Sequence, residues 1–579
     1  MKKFLILVLL PFVMLLSCSE DPVDHDYGDR QTLVIITDHD ESSEFMVSLR
    51  GTIRADYPDT EIQYFEADDF SIFNAAYTLF LAESKYPENT YFAAIVEPGA
   101  NADKITTEIN GKMFLMPDNG LGTFLFRDHP EAEIHLCDNT ALTGDPAVMP
   151  LYDYYINLIA LILDGKKAQD FGSRLTNPEK LDIMEAANHN GIITGQIMYT
   201  DDFGNCVSNI SGSLLSAELA EGDFTRVTIG DDSFLTYFGG SYESVPPGNN
   251  VSLVNIDNAL ELAVNRGSIS KRYNIEAGTV FTIEKYKPVI GILKFNESAI
   301  VEDIISNLKD KLVQTGLNVQ NSIIIEKNAD GNPSELSGLL KDLIAENPDL
   351  VISVSTPASQ TAVNELPEDI PLLFTYVTDP QSAGLLTTGR YLAGCSDATN
   401  FKEYLNFVDA LLPEIQKAGM MYSQYESNAV YAKEKVDEFR VFYDFDVEFS
   451  PVPNKDLIDE VFKALKNGGV EAYLLAADNM LSENIVMIAG FCQADKFPLI
   501  GDSYEHCANG ALASISVNYK SLAYSTGEMA FSSLLGNPPD KGTVNYFETE
   551  LIAFNTRIAE RIDFTIPQEL LDKAEYIYK

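Results

Sequence analysis

Tryptophan is absent from this 579-residue chain, and histidine and cysteine are scarce at six residues each. Any aromatic wall must therefore be built from tyrosine and phenylalanine. The cysteines at 18, 137, 206, 395, 492 and 507 form no CxxC or Cys/His spacing, which excludes zinc fingers and ribbons. His25, His39, His129, His135, His189 and His506 show no paired spacing either, so no metal site is expected, and they read as surface or internally satisfied histidines. Basic residues are also few. Forty Lys and Arg against 87 Asp and Glu leave a formal charge of −47, and without a Lys/Arg cluster to neutralise phosphates, nucleic acid is excluded as a partner. After residue 16 no apolar run approaches the roughly twenty residues of a membrane span, and no low-complexity tract or solenoid repeat appears.

What is present begins at the amino terminus. Lys2 and Lys3 precede an apolar run from Phe4 to Leu16, followed by Leu15-Leu16-Ser17-Cys18. This is the pattern of a secretory signal ending in a lipid-attachment box, and lipid on Cys18 would anchor the chain to a membrane face of the cell envelope, periplasmic or surface-facing. The acidic segment after Cys18 suits a tether. Cys492 and Cys507 could pair in an exported protein, although scattered positions favour buried free thiols.

The chain is too long for one hydrophobic core. Strand-like apolar runs alternate with amphipathic windows from about 30 to 165, and short Gly-punctuated, β-branched segments replace them from about 190 to 284. Alternation then resumes. Val289–Leu293, Leu350–Val354 and Leu372–Phe374, then Ala418–Tyr422, Ala472–Ala476 and Pro498–Ile500, are continuous apolar strands separated by helices. That pattern predicts parallel sheets covered on both faces, in two lobes. The expected architecture is α/β and multidomain: signal and lipobox 1–18, tether 19–30, an α/β unit 31–190, a small β-barrel-like unit 191–284, and a bilobed periplasmic-binding-protein-like module 285–579.

Five motifs in the first half are Thr37-Asp38, Glu97-Pro98-Gly99, Pro117-Asp118-Asn119-Gly120-Leu121, Asp201-Asp202-Phe203-Gly204-Asn205 and Leu260 to Gly267. In that order they resemble the S-adenosylmethionine hydroxide adenosyltransferases, relatives of the adenosyl-halide synthases. The resemblance implies a homotrimer and an adenosyl pocket in which Asp38 takes the ribose hydroxyls while Asp201, Phe203 and Asn205 surround the adenine. The residues also admit plainer roles, a helix cap for Asp38 and a turn for Gly204-Asn205. His39 follows Asp38 and is placed to touch the same ligand.

The resemblance weakens at the hydrolytic centre. Where the family carries Asp, Arg and His to activate water, this chain has Glu97, Lys104 and Thr143. Thr143 lacks a group that accepts a proton near neutral pH, and Lys104 replaces a planar fork with a point charge. Ile256 and Ser43 stand where the family has Ser and Asp for the methionine moiety. The expectation is a degenerate centre with no cofactor, S-adenosylmethionine or adenosine being at most a ligand.

The second half carries Ser355-Thr356-Pro357-Ala358, Thr378-Asp379-Pro380, Leu411-Leu412-Pro413, Glu426-Ser427-Asn428 and Ala477-Asp478-Asn479. It resembles the substrate-binding lipoproteins of ABC importers associated with aromatic amino-acid uptake, which implies an importer permease as partner. The proposed pocket is Asn296, Thr356, Thr378, Asp379, Asn428, Asp478 and Tyr504, with Thr356 on a carboxylate and Asp478 on an ammonium group; stacking by Tyr504 or Tyr425 completes it. Helix capping explains Thr356, Asn428 and Asp478 equally well. Two functions follow: a lipoprotein that binds a small molecule beside a nucleoside-binding pocket without turnover, or an S-adenosylmethionine hydrolase releasing adenosine and methionine.

Overall fold

The computed structural model describes residues 31–67, 71–99, 102–387 and 389–579. The signal, Cys18 and the tether lie outside the described residues. The chain divides into two units, one ending at Ile183 and the other beginning at Met184. Among the described residues no helix is long and apolar enough to cross a membrane.

The first unit is built on a seven-stranded sheet in the order Glu61–Glu66, Thr32–Thr37, Thr90–Ile95, Lys112–Pro117, Lys104–Ile109, Ile134–Leu136, Arg174–Leu175. The first four strands run parallel, and the other three join antiparallel. Thr32–Thr37 (TLVIIT) is apolar at four successive positions because both its faces are covered, the Leu33 and Ile35 face by the helices Glu44–Asp56 and Leu151–Leu163 and the other by Ile72–Lys85. Thr32–Thr37 pairs with Glu61–Glu66 on one side and Thr90–Ile95 on the other, so strand order reverses beside it. Such a reversal opens a crevice past the carboxyl ends of the strands, where Asp38 and Glu97 stand.

In the second unit, seven antiparallel-rich strands close into a barrel. Its order is Cys206–Ser211, Ala259–Val264, Asn250–Val254, Asp232–Phe238, Phe224–Ile229, Val280–Tyr286, Ile192–Thr200, and the last pairs with the first. Alternating side chains such as Ile193, Ile197, Leu260, Leu262, Phe281 and Ile283 fill it. Ala187–His189 pairs with Ile192–Thr200, so the β unit starts ahead of residue 191, where the sequence expectation placed its boundary. This three-residue strand is too short and polar to show in the pattern.

Two lobes follow. The first has an all-parallel sheet, Ile323–Asn328, Val289–Lys294, Leu350–Val354, Leu372–Thr375, Leu392–Cys395 and Val544–Asn545. The second contains Asp446–Val452, Lys417–Ser423, Ala472–Leu475, Leu499–Gly501, Ala513–Val517, Thr549–Asn555 and Tyr576–Tyr578. The chain crosses between them three times, after Cys395, after Val517 and after Asn545. Across the first lobe the helices Ala299–Gln314 and Tyr519–Leu534 touch closely because Gly527 has no side chain; a Cβ there would lie 2.8 Å from Lys311 Cγ.

Barrel and first lobe share one core, in which Phe224, Leu235 and Val251 meet Ile304, Leu308 and Phe531. Polar contacts reinforce it. Asn321 donates to the Gly222 carbonyl at 2.9 Å, Asn537 to the Pro247 carbonyl at 3.2 Å, and Arg226 lies 3.6 Å above the Tyr286 ring, whose hydroxyl donates to Asp349. The five cysteines among the described residues are buried and free, Cys492 and Cys507 included.

Candidate functional site

Between the lobes lies a cavity of about 480 Å³, lined by segments that follow the carboxyl ends of parallel strands in both sheets. The first lobe contributes Phe295 and Asn296, Ser355 and Thr356, Tyr376 and Thr378, and Asp397. From the second come Asn428, Asp478, Asp502, Glu505 and His506. Four non-glycine residues there, Asp330, Ser355, Tyr376 and Ala477, hold positive φ angles of 49°, 78°, 60° and 47°, each just past a strand end. Such conformations cost on the order of 1–3 kcal/mol each and gather where a fold must aim a backbone at a ligand.

Of the residues singled out from sequence, Asn296, Thr356, Thr378, Asn428 and Asp478 line the cavity. Asp379 and Tyr504 do not. Asp379 accepts the Ser382 N–H at 3.0 Å and shapes the turn behind the strand. Tyr504 is 8% exposed, its hydroxyl donating to Asp303 of the first lobe at 2.9 Å and its ring packed on Tyr519 and Tyr576. Tyr425, the other stacking candidate, is 81% exposed. Asp478 caps the helix Asn479–Glu483 through Leu481 N–H and also accepts the backbone N–H and hydroxyl of Ser423 at 2.6 and 2.7 Å. Its carboxylate is therefore committed to the protein.

Sequence reasoning missed Asp397, Asp502, Glu505, His506, Tyr376 and Tyr519. Asp502 directly follows the strand Leu499–Gly501, so one step past a strand already identified would have found it. Burial pushes its carboxyl up to about 7, with nearby Asp397 adding to the shift, and burial takes Asp397 to about 6. Asp478 is likewise raised to about 6, by burial and then by Glu426. Burial acts oppositely on His506, lowering it to about 4 and keeping it neutral. Asp502 Oδ2 accepts from Ala477 N–H at 2.8 Å and Thr399 at 3.2 Å. Glu505 reaches across the cleft to accept the Ile300 N–H at 3.0 Å, filling the amino terminus of the Ala299–Gln314 helix.

In the first unit, Asp38 sits at the strand reversal. Its Oδ2 accepts from Glu97 N–H at 3.4 Å, whereas Oδ1 is buried with no partner among the described residues. It does not cap the Glu44–Asp56 helix; Ser43 does. Glu97 has a φ of 42°, and Asn119 donates to its carbonyl at 3.1 Å. Lys104 is buried, its ammonium held by the Ala102 carbonyl at 2.5 Å, and desolvation lowers its pKa. Thr143 is buried too, donating to the Asn139 carbonyl at 2.9 Å. His39 bonds Tyr152 at 2.7 Å.

On the barrel, Asp201 organises its own turn, accepting from Phe203 N–H at 3.0 Å and from Asn205 N–H and side chain at 2.8 and 2.9 Å. The turn presents the Phe203 ring to solvent, 77% exposed, with Asn205 buried beneath. Ile256 is 99% exposed, a bare apolar side chain on the Asn255–Asn258 turn. Among the described residues no group of His, Cys, Asp and Glu is placed to hold a metal ion.

Two lobes, three crossings and a cleft at strand ends define a solute-binding module of the ABC-importer class. Comparison with known proteins agrees. Residues 289–577 match the ABC transporter substrate binding protein family, while 33–172 and 195–282 match the amino- and carboxyl-terminal domains of the SAM hydroxide adenosyltransferases. The chain thus fuses an ABC substrate-binding domain to SAM hydroxide adenosyltransferase-like domains. A tyrosine-binding protein of Clostridioides difficile (strain R20291) is 26% identical over 253 residues, covering 43% of this chain and 72% of that protein. A solved ABC domain from Streptococcus pneumonia in complex with L-Trp is 26% identical, covers 50% of this chain and 99% of its own, and has a TM-score of 0.46. An uncharacterized conserved protein from Thermotoga maritima is 24% identical over 44% of this chain and 100% of its own, with a TM-score of 0.40.

Proposed function

We propose that this chain is a cell-envelope solute receptor, lipid-anchored at Cys18, that captures an aromatic amino acid or related small molecule in the interlobe cleft and presents it to an importer permease. The observation that carries this reading is the strained, polar interlobe cleft with Phe295, Tyr376 and Tyr519 in its walls. The tyrosine-binding role of the Clostridioides difficile relative supports the ligand class. Binding of L-tyrosine and L-tryptophan to the full chain, followed by calorimetry, tests it. A heat of binding that disappears when Tyr376 is replaced by Ala supports the reading, and no heat up to millimolar ligand removes it.

For the SAM hydroxide adenosyltransferase-like domains we propose nucleoside binding without efficient turnover. An unpartnered, buried Asp38 oxygen suits a ribose hydroxyl, but Thr143 is tied to backbone and offers no imidazole. One observation favours hydrolysis instead. Desolvation makes the Lys104 amine easier to deprotonate, which suits a proton acceptor, although one of its N–H groups is engaged by Ala102. Incubating the full chain with S-adenosylmethionine decides between them. Adenosine formed above an Asp38→Ala control means hydrolysis; a nucleoside that raises the melting temperature without product, and does so no longer in Asp38→Ala, means binding alone.

A further inference from the structure

The cleft contains seven Asp and Glu side chains and no Lys or Arg. An amino acid brings one positive and one negative charge into that space. The positive charge is easily placed: Asp397 uses one oxygen on Thr378 at 3.1 Å, and its other oxygen has no partner among the described residues. Asp502 uses Oδ2 on Ala477 and Thr399, while Oδ1 has only the His506 ring, 3.6 Å from Nδ1 and outside hydrogen-bonding distance. His506 Nδ1 is itself buried without a hydrogen-bond partner, and the residue is 5% exposed. With Nε2 on Ser482 Oγ at 2.8 Å and Nδ1 left over, the buried ring and the spare Asp502 oxygen beside it mark the place of a ligand's polar hydrogens.

A negative charge has far less to meet it. The amino terminus of the long Ala299–Gln314 helix is already occupied by Glu505 from the opposite lobe. The helix Thr356–Glu365 also begins in the cleft, where Pro357 removes one of the first N–H groups and leaves the uncharged N–H groups of Thr356 and Ala358, and the helix Ser427–Phe439 begins at its wall. No cation of the protein stands ready for a ligand carboxylate, and seven acidic side chains repel it.

Resting on the receptor reading above, we propose that the ligand of this cleft is an aromatic amine without a carboxylate, its ammonium taken between Asp397 and Asp502 and its ring against the cleft's tyrosines. Tyr376 and Tyr519 stand edge to face with centroids 6.0 Å apart and supply a cation-tolerant aromatic wall.

The test compares matched pairs on the full chain by calorimetry: tyramine against L-tyrosine, and tryptamine against L-tryptophan. The expected result is that each amine binds at least about tenfold more tightly than its amino acid. Asp397→Asn should weaken both members of each pair while keeping the wild-type melting temperature within a few degrees, and Asp502→Asn, whose amide can donate to His506 Nδ1, serves as the second variant. Tighter binding of the amino acids overturns the inference and leaves the receptor reading standing. If neither member of either pair binds, both fall.

Discussion

Asp502 makes the cleft sensitive to pH. Its carboxyl is raised from the ordinary 3.8 to about 7 in the folded chain, so the stability contributed by its protonated form is complete below 3.8 and is lost as pH rises through about 7. His506 acts with the opposite sign. Lowered from 6.5 to about 4, it contributes stability present above pH 6.5 and lost as pH falls toward 4. Above pH 6.5 the acid therefore acts without opposition from the imidazole. The ligand-free chain should lose on the order of 1 kcal/mol between pH 6.5 and 8, and Asp502→Asn should flatten that decline in urea titrations. A wild-type curve that rises over this range would mean Asp502 is already ionised. These groups show why residue roles were only half legible. Capping chemistry and ligand chemistry use the same side chains, so Asp478 and Asp502, each just past a strand, look alike in sequence; only the bonds to Ser423 and Leu481 separate the first from the second.

Elements were easier to read than residues, because periodicity averages over many side chains. Val289–Lys294, Leu350–Val354 and Ala472–Leu475 are apolar on both faces and were recognisable as buried parallel strands without any structure. Ala187–His189 carries no such run, and the crossing of the chain between lobes leaves no compositional trace. Two predictions belong here. Asp478→Ala uncaps Asn479–Glu483 and strands the Ser423 N–H, and should cost about 2–4 kcal/mol by chemical denaturation. Gly204 turns the barrel loop at a φ of 81°, and a Cβ there would lie 1.9 Å from Ser268 Oγ. Gly204→Ala should therefore displace Phe203 and Asn205, and with them any stabilisation by adenosine, while the tyrosine-walled cleft keeps its ligand. Loss of both bindings together would point to general unfolding.

At the scale of the molecule, the division at Ile183 predicts two calorimetric transitions, one for each unit. A cleft ligand should raise only the transition of residues 184–579. The barrel should melt with the bilobed module and not alone, because Phe224, Leu235 and Val251 lie in the same core as Ile304, Leu308 and Phe531. A third transition assignable to the barrel would contradict this. The shared core also decides which part travels when the cleft closes. The first lobe is weighted by a barrel fixed to it through Asn321, Asn537 and Tyr286, whereas the second is joined to it by three chain crossings and by the bonds of Tyr504 to Asp303 and Glu505 to Ile300. Displacement is always relative, yet the frame of reference here extends from the first lobe into the barrel. On the receptor reading proposed above, a partner that senses occupancy reads it as the angular position of residues 401–517 and 549–578.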